Sequence, residues 1–130
     1  MKFIIPIEEY DRPDPIVLSS PRPDGFGLRS TIRHKKDNKK VGYLVYRLKN
    51  YLSTEGYPKV AELHMELLPA YQGKGLFQWI VLAVLRRTRV PVWVARNRAI
   101  NPNVKRAIDK LDPDLLEVVE LEWGWLIRKV

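Results

Sequence analysis

Along the middle of the chain, apolar and polar positions alternate. Between Val60 and Leu68 the apolar Leu63, Met65 and Leu67 are interleaved with Glu62, His64 and Glu66. That is the two-residue period of a strand with one face covered. The period then changes: after Gly73-Lys74-Gly75, every residue from Leu76 to Leu85 except Gln78 is apolar. This predicts a helix from about Gly73 to Arg87, with apolar side chains all round its axis and hence buried against a sheet. Arg86, Arg87 and Arg89 close it, where positive charge complements the helix dipole. Val90 to Ala95 reads as a further apolar strand. Asn101 and Pro102 suit the cap and first position of a short helix ending near Leu111, and Leu115–Leu121 and Trp125–Lys129 read as a last pair of strands. In the first half, Phe3–Ile7 reads as a strand. Pro13, Pro15, Pro21 and Pro23 make Asp11–Gly25 an extended, loop-like segment. Phe26–Ile32 and Val41–Leu48 are strands on either side of the polar segment His34–Lys40, which suits a hairpin turn, and Asn50–Pro58 is rich in turn residues.

The order is therefore strand, loop, three strands, helix, strand, helix, two strands. It predicts an α/β (α+β) chain with a mixed, mostly antiparallel central sheet and helices packed on it. A length of 130 residues suits one core, so residues 1–130 are read as a single domain, and no internal repeat is visible.

The joint between the Val60–Leu68 strand and the helix reads Leu67-Leu68-Pro69-Ala70-Tyr71-Gln72-Gly73-Lys74-Gly75-Leu76. The backbone N–H groups of Gly73, Lys74, Gly75, Leu76 and Phe77 lie where a helix begins. There they lack intrahelical acceptors, and the dipole favours an anion such as a phosphate. The same glycines would also serve an ordinary strand-to-helix turn. No Gly-Lys-Ser/Thr is present to hold a nucleotide's magnesium, and no Gly-x-Gly-x-x-Gly.

The pattern Leu-x-Pro-x-Tyr-Gln-Gly-Lys-Gly-Leu resembles motif A of the GNAT superfamily of N-acetyltransferases. The resemblance implies a GNAT-like single domain and acetyl-coenzyme A as co-substrate, with no metal. In such a domain Leu67 and Leu68 run beside the pantetheine, and Gln72, Gly73, Lys74, Gly75, Leu76 and Phe77 surround the pyrophosphate. It further implies that the family's early helices, part of the acceptor wall, are reduced or absent here, because the proline-rich segment stands in their place. Phe77 departs from the glycine or alanine usual in motif A and is expected to turn into the core with Leu76, Ile80 and Val81. Residues Asn101–Leu111 are similar to motif B. On that likeness Asn101 approaches the pantetheine or the acetyl group, and Ile108 takes the place of a tyrosine that often protonates the departing thiolate, which isoleucine cannot do. The usual Gly-Phe is replaced by Asp112-Pro113.

The function implied is acetyl transfer to an amine: a protein lysine, a protein N-terminus or a small molecule. The amine must be neutral when it attacks, so a carboxylate or histidine takes its proton. Glu62 and His64 are the first candidates and Glu66 the third, all on one face of their strand. A partly solvated polar face explains the same three residues equally well. A strand N–H near Leu67 is expected to hold the oxyanion.

Composition narrows the alternatives. The absence of cysteine excludes disulfides, thiolate metal sites and a cysteine nucleophile, and only His34 and His64 are histidines. No apolar run approaches the roughly 20 residues of a membrane span. The apolar start is broken by Pro6, Glu8 and Glu9, so a soluble, cytoplasmic protein is expected. The formal net charge is +8, and between residues 29 and 49 Arg29, Arg33, Lys35, Lys36, Lys39, Lys40, Arg47 and Lys49 stand against Asp37 alone. Tyr43, Tyr46, Tyr51 and Tyr57 lie nearby. Such a hairpin attracts polyanions, either an acidic protein acceptor or nucleic acid stacking on the tyrosines; a merely solubilising edge has the same composition. The alternative function is a weak or inactive GNAT-fold module that binds a protein or nucleic acid through this hairpin.

Overall fold

The computed structural model describes residues 2–4, 16–25, 27–35, 37–50, 59–71, 75–96 and 102–130. Its strands are β1 (Lys2–Ile4), β2 (Ile16–Ser19), β3 (Arg22–Pro23), β4 (Leu28–His34), β5 (Lys40–Asn50), β6 (Lys59–Leu67), β7 (Val92–Ala95), β8 (Leu116–Leu121) and β9 (Gly124–Lys129). Its helices are α1 (Leu76–Thr88) and α2 (Pro102–Asp109), and a single 3₁₀ turn covers Pro69–Tyr71. The expected α/β class is present: of the described strand pairings only β6 with β7 is parallel, and the others whose direction is set by their register are antiparallel. Contacts group the chain into two compact units, Met1–Tyr46 with His64–Gln72 and Arg47–Leu63 with Gly73–Val130.

In the first unit the strands follow the order β1-β2-β4-β5-β6, with β3 beside β4. The loop expected over Asp11–Gly25 needs correction, because β2 and β3 lie within it. Ile16, Val17 and Leu18 form an apolar, β-branched-rich triplet that no proline interrupts. All three are buried, and β2 pairs with both β1 and β4. The prolines confine this strand without preventing it, and Pro23 sits in the short strand β3, which is off the main path of the sheet. The expectation about early helices concerns Asp11–Gly25, of which residues 11–15 lie outside the described residues; among the described residues before Leu76 none is α-helical. The β4–β5 hairpin forms as the polar segment predicts. The His34 N–H donates to the Lys39 carbonyl at 3.0 Å, the Asn38 N–H to the His34 carbonyl at 3.0 Å, and Asn38 takes a φ of 61°. Gly42 serves close strand approach. A Cβ on it would lie 2.2 Å from the Glu66 carbonyl oxygen, so only glycine admits β6 at this distance.

In the second unit the order is β5-β6-β7-β9-β8. The parallel register joins Ala61 with Val92 and Glu62 with Trp93, and the β7–β9 and β8–β9 pairs are antiparallel. Helix α1 is continuous because no proline or glycine interrupts it, and Trp79, Ile80, Val81, Ala83 and Val84 are at most 1% exposed. Burial of large apolar side chains contributes about 1.5–3 kcal/mol each, so packing holds this helix more than propensity does. It ends at Arg89, which adopts the left-handed region and donates its N–H to the Leu85 carbonyl, two residues before Pro91. Val60, Trp93 and Leu126 form a buried cluster with Val119 and Leu121 against it. Gly124 is required there, since a Cβ would come within 2.3 Å of the Val94 carbonyl oxygen.

Candidate active site

Helix α1 opens at Leu76 directly behind Gly75, whose φ of 77° and ψ of 12° are left-handed. A side chain bearing a Cβ costs about 1–2 kcal/mol in that conformation. The backbone itself therefore calls for glycine here. Gly75 has no side chain to cap the helix, and no carboxylate lies in the first turn to repel an anion. A helix end of this kind carries a partial positive charge and N–H groups without helical acceptors. Leu76 is 3% exposed, whereas Phe77 is half-buried, so Phe77 is less embedded than the expected core position. Gln72, Gly73 and Lys74 lie outside the described residues, as does Asn101 immediately before α2.

On the strand side, Leu67 is half-buried and Leu68 exposed. The Leu68 N–H donates to the Val41 carbonyl at 2.9 Å, and its own carbonyl accepts the Tyr71 N–H at 2.9 Å. Both backbone groups of Leu68 are thus engaged within the fold, and its side chain is exposed.

Of the three candidate bases, Glu62 is a buried carboxylate in the second unit, 4% exposed. Its Oε2 accepts from Arg47 at 3.3 Å and from Lys49 at 3.1 Å. A buried carboxylate needs such partners, and two cations at one oxygen supply them. Arg47 and Lys49 are legible in the sequence only as part of a basic stretch; their positions one strand away from Glu62 are not.

His64 and Glu66 belong to the first unit and lie in a different setting. Glu66 is exposed, and its Oε2 accepts the Tyr43 hydroxyl at 2.9 Å. The His64 ring is half-buried, with its centroid 6.4 Å from that of Tyr43, and the Arg29 guanidinium lies 4.0 Å from the Tyr43 ring centroid. The hydrogen bond to Glu66 holds the Tyr43 phenol above its usual range, helped by partial burial and the carboxylate's charge, while Arg29 pulls the other way. Tyr43, legible in the sequence only as a candidate stacking ring, is thus set beside two of the candidate bases. The β5–β6 register that sets it beside Glu66 has no local signature.

Ile108 is 4% exposed and lines a cleft of about 380 Å³ in the second unit with Leu111, Leu116 and Trp125. Asp109 and Glu120 also border it. Arg96 donates to Glu120 at 2.7 Å and lies 4.7 Å from the Trp125 ring centroid, and its hydrogen bond holds the Glu120 carboxyl below the usual range. Among the described residues of the basic hairpin, Arg33 donates to the Asn38 carbonyl at 3.2 Å, and Asp37 accepts the Lys39 N–H. Lys36 lies outside the described residues. Also among the described residues, no helix is long and apolar enough to cross a membrane, and no His/Asp/Glu group could hold a metal ion.

No family model matches the chain, and no curated protein matches it. Among solved structures it is similar to a Bordetella pertussis protein assigned provisionally to the GnaT acetyltransferase family. Identity is 17% and the TM-score 0.42, over 77% of this chain, which spans 63% of the length of that protein.

Proposed function

We propose that the protein is an acetyl-coenzyme A-dependent N-acetyltransferase that moves an acetyl group to an amine, on a protein lysine, a protein N-terminus or a small molecule. One observation carries this reading: the motif from Leu67 to Leu76 leads into a 13-residue helix that opens on a left-handed Gly75. The helix start would hold the coenzyme's pyrophosphate through the N–H groups of residues 73–77, with Gln72 and Lys74 beside it, as the resemblance implies. Leu67 and Leu68 would flank the pantetheine, and Asn101 the acetyl end.

Acetyl-coenzyme A supplies an activated thioester. The amine nitrogen forms a bond to its carbonyl carbon, the C–S bond breaks, and coenzyme A leaves as a thiolate that takes a proton from water. A thiolate is already a good leaving group, so isoleucine at position 108 is compatible with turnover. The amine's proton passes to a base on β6. We rank His64 first and Glu66 second, ahead of Glu62, whose Oε2 is already shared by two cations. An imidazole nitrogen can serve as a general base.

The test is thiol release from acetyl-coenzyme A in the presence of a panel of amines: a lysine peptide, a peptide with a free N-terminus, and a polyamine. The chain has no cysteine to contribute background. Amine-dependent release with acetylated product supports the reading, and no release from any amine counts against it.

A further inference from the structure

Strand β8 ends the order β5-β6-β7-β9-β8, and among the described residues only β9 pairs with it. The register decides which of its backbone groups are spent. The Val130 N–H donates to the Leu115 carbonyl at 3.1 Å, and these two residues continue the β8–β9 register. Hydrogen-bonded and non-hydrogen-bonded positions alternate along an antiparallel pair, so Glu117, Val119 and Leu121 bond to β9, while Leu116, Val118 and Glu120 turn their N–H and C=O groups outward. The Leu116 N–H is taken by the Asp112 carbonyl at 2.9 Å. The N–H and C=O groups of Val118 and Glu120 stay at the open edge. The strand reads Leu-Glu-Val-Val-Glu-Leu, without the proline or lysine that commonly guards an edge. The side chains of Leu116, Val118 and Glu120 share one face, and that face lines the cleft of about 380 Å³ with Ile108, Leu111 and Trp125. A strand added to this edge would be held by backbone bonds and would send every second side chain to the cleft.

Charge selects the kind of strand. Glu117 and Glu120 are already engaged by Arg128 and Arg96 and carry no part of the argument. Asp114 just before β8 and Glu122 just after it are exposed, and among the described residues neither holds a cation. Asp109, at the cleft, meets Lys105 at 3.8 Å in an exposed pair. Trp123, 68% exposed beside Glu122, offers a ring face to a cation. Uncommitted carboxylates at both ends of the edge fit a basic partner and repel nucleic acid. A second copy of the chain fits poorly: antiparallel pairing about Val118 would set Asp114 of one copy against Glu122 of the other, and like charges opposed across strands destabilise. We infer that β8 takes up an extended basic protein segment as one further strand, with cationic side chains toward its ends and an aliphatic side chain in the cleft. The inference does not rest on acetyl transfer.

The experiment uses the full chain and a capped, fluorescein-labelled peptide in which valine and threonine alternate between paired lysines, read by anisotropy at about 0.15 M salt, where the chain's remote positive charge is screened. Wild type binds it. V118P removes an outward N–H that β9 does not use, so the ladder keeps its bonds, and the variant should bind at least about tenfold more weakly. D114N/E122Q should also weaken binding. If circular dichroism shows V118P to be misfolded, the peptide decides on wild-type protein: methylating one alternate set of its amide nitrogens abolishes binding, and methylating the other set leaves it. Equal effects of the two sets, unchanged binding to folded V118P, unchanged binding to D114N/E122Q, or a wild-type chain that ignores the peptide would each overturn the inference. So would a chain that sediments as a dimer when V118P is a monomer, which would give the edge to a second copy, or an oligonucleotide that displaces the peptide with higher affinity.

Discussion

Glu62 and Glu66 are four residues apart on the same strand and alternate to the same face by sequence, yet they meet opposite chemistry. Glu62 is buried and gives one oxygen to Arg47 and Lys49. Glu66 is exposed and accepts a hydrogen bond from a neutral phenol. A carboxylate engaged by two cations ties three side chains together at one point. Glu66 meets the Tyr43 hydroxyl at 2.9 Å, and the His64 ring lies 6.4 Å from the Tyr43 ring, centroid to centroid. Residues that look equivalent in sequence thus meet different partners, two cations for Glu62 and a phenol for Glu66, and on the proposed mechanism the base is sought at His64 and Glu66 first.

His64 carries the widest contrast. In an enzyme assay with a responsive amine, His64→Ala should lower turnover by about 10²- to 10⁴-fold while coenzyme affinity holds. Glu62→Gln should leave turnover per folded molecule close to wild type. The reverse pattern would return the base to Glu62.

Stability separates the two regions next. Glu62→Ala leaves Arg47 and Lys49 without their shared carboxylate. Both cations are about two-fifths exposed, so water relieves part of the loss, and the expected cost is about 1–2 kcal/mol in chemical denaturation. Tyr43→Phe, which removes a hydrogen bond in an exposed setting, should cost under about 1 kcal/mol. Equal costs would erase the distinction between the two regions.

A finer difference belongs to alkaline pH. The Tyr43 phenol is held above its ordinary value of 10.0 in the folded chain, chiefly by its hydrogen bond to Glu66. A raised folded value means that its contribution to stability is intact below pH 10.0 and is lost as pH climbs through the folded value. Ultraviolet titration of the six tyrosines should therefore lose a late step in Tyr43→Phe, and that step should move to lower pH in Glu66→Gln. Titration curves unchanged in both variants would remove Glu66 as the controlling partner.

Much of this fold was legible because period and punctuation agree. The strand expected over Val60–Leu68 and the apolar helix behind Gly75 both form where the pattern sets them, but Val60, Ala61, Glu62 and Leu63 are all buried, so the first half of the strand is covered on both faces. Strand β2 was hidden because four nearby prolines outweighed a three-residue apolar run, and its stability comes from pairing on both sides, a tertiary effect. The candidate site was less legible. Tyr43 with Glu66 and Arg47 with Glu62 depend on the register of β5 against β6. Long sequence separations between such strands leave no local mark, and a shift of one residue would have sent each side chain to the other face. Gly42 contributes to that register through close approach, a role its sequence context does not advertise.

Whether the start of α1 holds the coenzyme is decided by isothermal titration with acetyl-coenzyme A, comparing wild type with Gly75→Glu. Wild type should bind one coenzyme per chain. The variant should bind none at millimolar coenzyme, because glutamate brings a Cβ to a left-handed backbone and a negative charge to the phosphate end of α1. A wild-type chain that binds no coenzyme at millimolar concentration, or a folded variant that binds it as tightly as wild type, would remove the phosphate cradle from this helix and the acetyltransferase reading with it.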